Sequence, residues 1–361
     1  MLLVGAAIRK AHQAPPLTFK LVLMNTAFAM QTPDRHAPHL RGFSDRGMGP
    51  LPSAALAMLI SIVSVRLIYV LRPLIEWSDL YRYVQNFSIN PYYGMAIPQS
   101  TLEYATNEYG WQLIVRATFA AGLDFEAAFV FLSMVALGLT IYAILRQTGL
   151  PLVLLLLINP AIIDFFISQV RSALALAIVL NFVRRRPALS LPAIAIASTI
   201  HTSMLLFTIP IGLDALRRKS PPTSRFRRID SFFWPIAAII AAAALTTFQT
   251  LILDLLGDRR AAYGDTTIST GPLLTIAWGL VAMMAAVLSR HRATLSGISA
   301  AFMIGMYVVS ALLGLYAHRY AAFFLPFLAM SIGGSETPFS NRLIFVCTYF
   351  AFSSVYFSFW I

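Results

Sequence analysis

One arginine, by its type and its position, is the strongest candidate for chemistry in this chain. Arg171 opens an apolar run that Arg184, Arg185 and Arg186 close, and from Ser172 to Val183 the polar residues are Ser172 and Asn181. A helix rises about 1.5 Å per residue, so Arg171 to Arg184 covers roughly 20 Å, short of the roughly 30 Å hydrocarbon core of a bilayer. With the arginine triplet anchored at one face, Arg171 lies below the opposite surface. A guanidinium there costs about 2.5 kcal/mol or more on insertion scales, which marks it as functional by default. Ser168 is placed to cap this helix, and Arg171 then sits at the positive end of the macrodipole, an end that attracts anions. Arginine beside free helix N–H groups is the chemistry of a phosphate site. A buried ion pair with Asp164 is the structural alternative.

Other residues extend the candidate set. Arg319 heads a second short run, Tyr320 to Ile332, and the same reasoning applies to it and to Tyr320. His201 stands among Thr199, Thr202 and Ser203, either as a hydrogen-bonded packing residue or as an acid/base group lining a cavity. Asp79 and Glu108 are candidate catalytic carboxylates, or else solvated loop charges. Arg259 and Arg260 with Tyr263 read as a phosphate clamp or as plain loop charge. Arg82, Tyr83 and Ser172 complete the candidate substrate contacts. Arg66 and Arg116 read as snorkelling side chains. The tyrosines at 81, 83, 92, 93, 104 and 109, with Trp77 and Trp111, suit stacking on sugar rings or an interfacial aromatic belt. His201, His291 and His318 are isolated, so metal spacing is absent. No P-loop, Ser-His-Asp constellation or Rossmann glycine motif is present.

The elements that must position these groups follow from composition. The chain of 361 residues is 58 % hydrophobic and 12 % charged, with a mean hydropathy of +0.73. Apolar runs recur along its length, which predicts an all-α, polytopic transmembrane helix bundle of about ten or eleven spans, short broken helices included. The formal charge of +12 is spread over short loops, not gathered on a soluble face, and argues for membrane topology and against nucleic acid. All but eight of the 27 Lys and Arg fall on the face shared by the amino-terminal arm and the RRR, RRK and RHR loops. The positive-inside rule makes that face cytoplasmic. The remaining eight are all arginine, whose planar fork suits phosphate and carboxylate. Cys347, the single cysteine, excludes an internal disulfide.

In chain order, residues 1–50 read as a basic, poorly ordered cytoplasmic arm, and 51–361 as a single membrane domain with an exoplasmic loop over 72–123. Span one covers about 51–71, followed by a polar, aromatic loop to Gly110 and a short interfacial helix from Trp111 to Ala121. Spans follow at about 125–145 and 150–167, the latter broken at Asn159-Pro160, and then the Arg171 helix. Residues 189–216, basic at both ends, predict a hairpin of two short helices with Thr199 to Ser203 at its turn. Further spans are expected at about 232–253, 272–288, 295–316, 321–332 and 343–360.

Three places in this sequence resemble the EpsG family of Wzy-like bacterial exopolysaccharide polymerases, within the broad class of GT-C-type membrane glycosyltransferases. WSDLYRYV with NEYGWQLI is similar to the family's D-x-x-Y and acid-glycine-aromatic pattern. SQVRSALALAIVL, followed about thirty residues on by IHTSMLL, is similar to its I-R-Q-x-[IL]-A and F-H-x-S-[AM] elements. Arg319-Tyr320 is similar to a late Arg-Tyr. The likeness covers roughly residues 75–325. Ser172 stands where the family usually has Gln, and Glu108-Tyr109-Gly110 replaces an acid-Pro-Gly form.

The resemblance implies polymerisation of undecaprenyl-diphosphate-linked repeat units on the outer face of the inner membrane, without metal, cofactor or nucleotide sugar. Arg171, with Arg319, Arg259 and Arg260, would then neutralise the diphosphate leaving group, and Asp79, Glu108 or His201 would take the acceptor's proton. A chain-length regulator or an export complex is a candidate partner for the basic cytoplasmic loops. A lipid-oligosaccharide flippase and a ligase-like lipid-sugar transferase are the rival readings.

Overall fold

The structure is a computed structural model that describes residues 49–72, 78–90, 108–148, 150–185, 189–219, 227–248, 251, 272–289, 291–315, 317–333, 346, 347, 349 and 353. All of them belong to the compact unit Gly47–Ile361. Residues 1–48, most of the arm expected over 1–50, lie outside the described residues, as does most of the expected last span. The described chain is helical throughout, with no strand among the described residues. This is the all-α architecture expected of a polytopic membrane protein.

Helix α1 (Pro50–Leu71) begins with proline in its first turn and stops at Arg72, whose backbone turns extended because Pro73 disfavours a helical residue before it. It buries a stripe of small residues at four-residue spacing, Ser53, Ala57, Ser61 and Val65, while Leu59, Val63, Leu67 and Val70 face outward. Its partner is α4 (Phe125–Leu145). A side chain at Gly138 of α4 would meet Ser61 Cβ at 3.6 Å and the Ala57 carbonyl at 3.9 Å, so the two backbones approach through small residues, as membrane helices do.

The segment read as a polar loop carries a helix, α2 (Ser78–Ile89), and the short helix expected from Trp111 follows it as α3 (Tyr109–Ala120). The correction has a visible cause. Leu80, Tyr83, Val84 and Phe87 recur at helical spacing, and Leu80 and Phe87 are buried. Beyond α4, the expected break is present: α5 (Leu150–Leu157) ends before Asn159, whose side chain accepts from Ala161 N at 2.9 Å and caps α6 (Pro160–Ser168). Then α7 (Val170–Arg185) leaves α6 at 104°. Ser168 does not cap α7. It closes α6, and Gln169 occupies the corner, its carbonyl accepting from Ala173 N at 3.0 Å.

The hairpin forms as expected from α8 (Ser190–Ile200), a 3-10 segment Thr202–Phe207 and α9 (Thr208–Lys219). The second half contains α10 (Arg227–Thr247), α11 (Pro272–Leu288), α12 (Leu295–Leu312) and α13 (His318–Ile332). Helices α7 and α12 are buried over most of their length and are the two central elements. Helix α12 is approached closely by α10, since a side chain at Gly305 would meet Ala242 Cβ at 2.8 Å. Three helices, α1, α4 and α12, are individually long and apolar enough to cross a bilayer, and the bent pair α6–α7 makes a fourth if it counts as one span. The other apolar helices, within α8, α10, α11 and α13, are shorter.

Candidate active site

The site is built where the start of α3, the start of α7 and the turn of the hairpin meet. Glu108 stands immediately before α3 with φ 55° and ψ 48°, and among the described residues it is the one non-glycine with positive φ. The left-handed region costs an ordinary residue on the order of 1–3 kcal/mol, and such outliers gather where surrounding contacts hold them for a purpose. The contacts here are explicit. Glu108 O accepts from Trp111 N at 2.9 Å and Gln112 N at 3.2 Å, which starts the helix. Its side chain is thereby aimed at α7 and the hairpin.

Both carboxylate oxygens are engaged. Oε2 pairs with the Arg171 guanidinium, and Oε1 meets His201 Nδ1 at 2.5 Å and accepts from Thr202 N at 3.3 Å. The side chains are largely buried, with 12 % of Glu108, 11 % of His201 and 25 % of Arg171 exposed. Burial pushes the Glu108 carboxyl up, but the hydrogen bond with His201, the charges of Arg171 and His201, and the Thr202 amide outweigh it and hold the group at about 2.

Local sequence explains why these segments can meet. Gly110 lies against the end of α8, where a side chain would press on Thr199 Oγ1 and come within 3.1 Å of the Thr199 carbonyl carbon. Glycine at this position lets α3 close on the hairpin just before His201. His201 itself is extended, with φ −149° and ψ 115°, between its N–H bond to Ala197 O at 2.8 Å and the Met204 N bond to its own carbonyl at 3.0 Å. Arg171 occupies the first turn of α7, where the anion that the helix end favours is the Glu108 carboxylate.

An aromatic layer supports the arginine. Its Cζ lies 5.8 Å from the Tyr83 ring centre, and Tyr83 packs on Phe87 at 6.0 Å, Trp111 at 6.2 Å and Phe129 at 6.4 Å. This joins α2, α3 and α4 beneath the ion pair. Arg171 Nε, Trp111 Nε1 and Ser203 Oγ are buried without a hydrogen-bond partner among the described residues. The guanidinium therefore retains a donor direction that Glu108 does not use.

Of the sequence candidates, the structure brings together Arg171, His201, Glu108 and Tyr83, with Ser172 buried beside Arg171. Asp79 stands in the first turn of α2, half-buried, and Arg82 is exposed on the same helix. Arg319 and Tyr320 open α13, where Tyr320 packs against the core. Arg259, Arg260 and Tyr263 lie outside the described residues. Trp111 is neither belt nor exposed sugar platform, being buried under Tyr83 and Phe129. Sequence reasoning did not find the Glu108–Arg171 pair, which joins residues remote in sequence. The one local signal was glycine two residues after an acid.

An all-α membrane protein with an arginine–glutamate–histidine centre at the meeting of three helical segments is the class that fold and site define. The sequence model of the EpsG family matches residues 56–361, and the chain belongs to that family. Membership points to exopolysaccharide biosynthesis and to a polymerase of glycosyltransferase type. No curated protein and no solved structure matches the chain.

Proposed function

We propose that this protein joins undecaprenyl-diphosphate-linked oligosaccharide repeat units into a longer polysaccharide on the exoplasmic face of the bacterial inner membrane, within a GT-C-like bundle. The observation that carries the reading is the convergence of Arg171, Glu108 and His201. Glycosyl transfer from a lipid diphosphate needs a cation where negative charge develops on the leaving group and a group that accepts the hydroxyl proton of the acceptor. Arg171 supplies the first, in the first turn of a helix and with Nε still able to donate. The Glu108–His201 pair lies against it and supplies the second. Arg319, Tyr320, Arg259, Arg260, Tyr263, Arg82 and Ser172 are proposed as further substrate contacts, and Asp79 as a second carboxylate at the site. A chain-length regulator or export complex on the basic loops remains part of the proposal.

The test is to delete the gene in its host and to profile undecaprenyl-linked glycans and secreted polymer. The expected outcome is single repeat units accumulating on the exoplasmic leaflet with long polymer lost. Complementation with Arg171→Lys, which keeps the charge and loses the planar fork, is expected to restore the protein but at most about a hundredth of the polymer, the scale of losing one preorganised donor. Units trapped on the cytoplasmic leaflet would instead mean a flippase.

A further inference from the structure

Away from the centre, the basic end of α9 carries a second site. We infer that Arg217 and Arg218, clamped side by side by Asp214, bind the phosphate of an anionic phospholipid whose acyl chain lies along the exposed face of α9. The inference does not depend on the polymerase reading.

Asp214 stands three and four residues before the two arginines, so all three side chains share one side of the helix. Its side chain is 5 % exposed, and both carboxylate oxygens are engaged. Oδ1 accepts from Arg217 Nε at 3.0 Å and Nη2 at 2.9 Å, and Oδ2 accepts from Arg218 Nε at 2.8 Å. Bonding through Nε leaves the far ends of the guanidiniums free. Arg217 Nη1 and both terminal nitrogens of Arg218 make no hydrogen bond among the described residues, and the two side chains are 30 % and 50 % exposed.

The charge balance calls for an anion. Arg217, Arg218 and Lys219 occupy the last turn of α9, and against them stand one carboxylate and about half a negative charge from the helix end. One arginine would satisfy Asp214. The second leaves an excess of positive charge and fixed, unused donors. Phosphate oxygens match the planar fork of a guanidinium, and a phosphate spanning both forks relieves their repulsion. Because Asp214 already orders both side chains, binding removes little further rotamer freedom.

The neighbouring surface selects the kind of anion. Thr208, Gly212, Ala215, Leu216 and Lys219 recur at helical spacing and are all exposed, Leu216 at 57 %. Nothing lies within 4 Å of where a side chain would begin at Gly212, which leaves an open dip one turn from Leu216. A largely apolar track that ends at three cations fits an amphiphile, with its chain along the helix and its phosphate at the helix end. A free phosphate or an acidic peptide would leave the track uncovered.

The test titrates the full chain, in neutral detergent, with phosphatidylglycerol or phosphatidylcholine and counts bound lipid by native mass spectrometry. Phosphatidylglycerol is expected to bind about tenfold or more tightly than phosphatidylcholine. Arg217→Gln combined with Arg218→Gln is expected to abolish that preference. Asp214→Asn raises the positive charge yet releases both arginines, so the preference is expected to fall. Arg217→Lys combined with Arg218→Lys keeps the charge and removes the forks, and it is expected to fall as well; this pair decides the same point should Asp214→Asn not fold. A preference in Asp214→Asn or in the double-lysine variant equal to that of wild type would overturn the inference, because bulk charge would then suffice. So would equal binding of the two lipids by wild type. Displacement of the first lipid by inorganic phosphate would overturn it in favour of a free-anion site, and displacement by a glutamate-rich peptide in favour of a docking surface for an acidic protein.

Discussion

Glu108 concentrates three features in one residue: a left-handed backbone, a buried charge and carboxylate contacts to Arg171 and His201. Each is sustained by the others. The ion pair and hydrogen bonds compensate burial, and the backbone conformation aims the side chain at them. This makes the site's stability depend on pH in a definite direction. The folded carboxyl is lowered from 4.5 to about 2, so its stabilising contribution is fully present above 4.5 and is lost as pH falls towards 2. The difference is worth about 3 kcal/mol, since one unit is about 1.4 kcal/mol. Thermal unfolding in detergent at pH 6 and pH 3 checks this. Wild type is expected to lose midpoint temperature between the two, whereas Glu108→Gln starts lower and changes less. Equal pH sensitivity in both proteins would remove Glu108 as the source. Little of this pairing was legible in the sequence. Arg171 was marked by helix length and charge alone, but its partner lies across a long chain separation, and Asp164 was the nearer acid. Hydropathy and spacing carry no information on which distant carboxylate a guanidinium meets.

At the scale of elements, the punctuation was readable because it is chemical. Asn159-Pro160 broke a span by capping and by a missing N–H, Pro73 stopped α1, and the Thr199–Ser203 turn split a segment too long and too basic-ended for one helix. The corner at Gln169 was misplaced by one residue because Ser168 is the better cap by type, while the geometry that decides is a 104° bend between packed helices. Helix α2 was hidden for a different reason: two of its four core-facing positions, Tyr83 and Phe87, are aromatic, and all four lie among polar residues. The joint that matters most is Gly110 against Thr199, since it sets how far Glu108 reaches towards His201. Gly110→Ala is expected to keep the helices and lower polymerisation by about tenfold or more, because a shift near 1 Å at a reacting centre has effects of that order. Adding Thr199→Gly, which removes the side chain that the new methyl strikes, is expected to recover part of the loss. In vitro turnover of the two single variants and the double variant measures the coupling. Additive losses would mean that the contact at this joint does not set the site's geometry.

For the whole molecule, the charges and the site make one combined statement about direction. The arginine-rich loops on one side of the spans favour the cytoplasm. On that assignment, the segment carrying α2 and the start of α3 faces outward, and with it the Glu108–Arg171–His201 centre. At the other ends of the helices, Asp214 holds Arg217 and Arg218 through bonds of 2.8–3.0 Å, so α9 finishes in a fixed cluster of positive charge beside the exposed Lys219. A polymerase using lipid-linked units already moved across the membrane requires this orientation, whereas an enzyme acting before translocation requires the reverse. Cys347 is exposed and is the chain's one cysteine, so Cys347→Ser provides a clean background for labelling. In that background, Ser88→Cys on the exposed side of α2 is expected to react with a membrane-impermeant maleimide on intact spheroplasts. Lys219→Cys is expected to react only after permeabilisation. Polymer production by each variant in the deletion host confirms that the labelled protein is the active one. The opposite labelling pattern in active protein would place the centre at the cytoplasmic face and require its substrate to be a glycan not yet translocated.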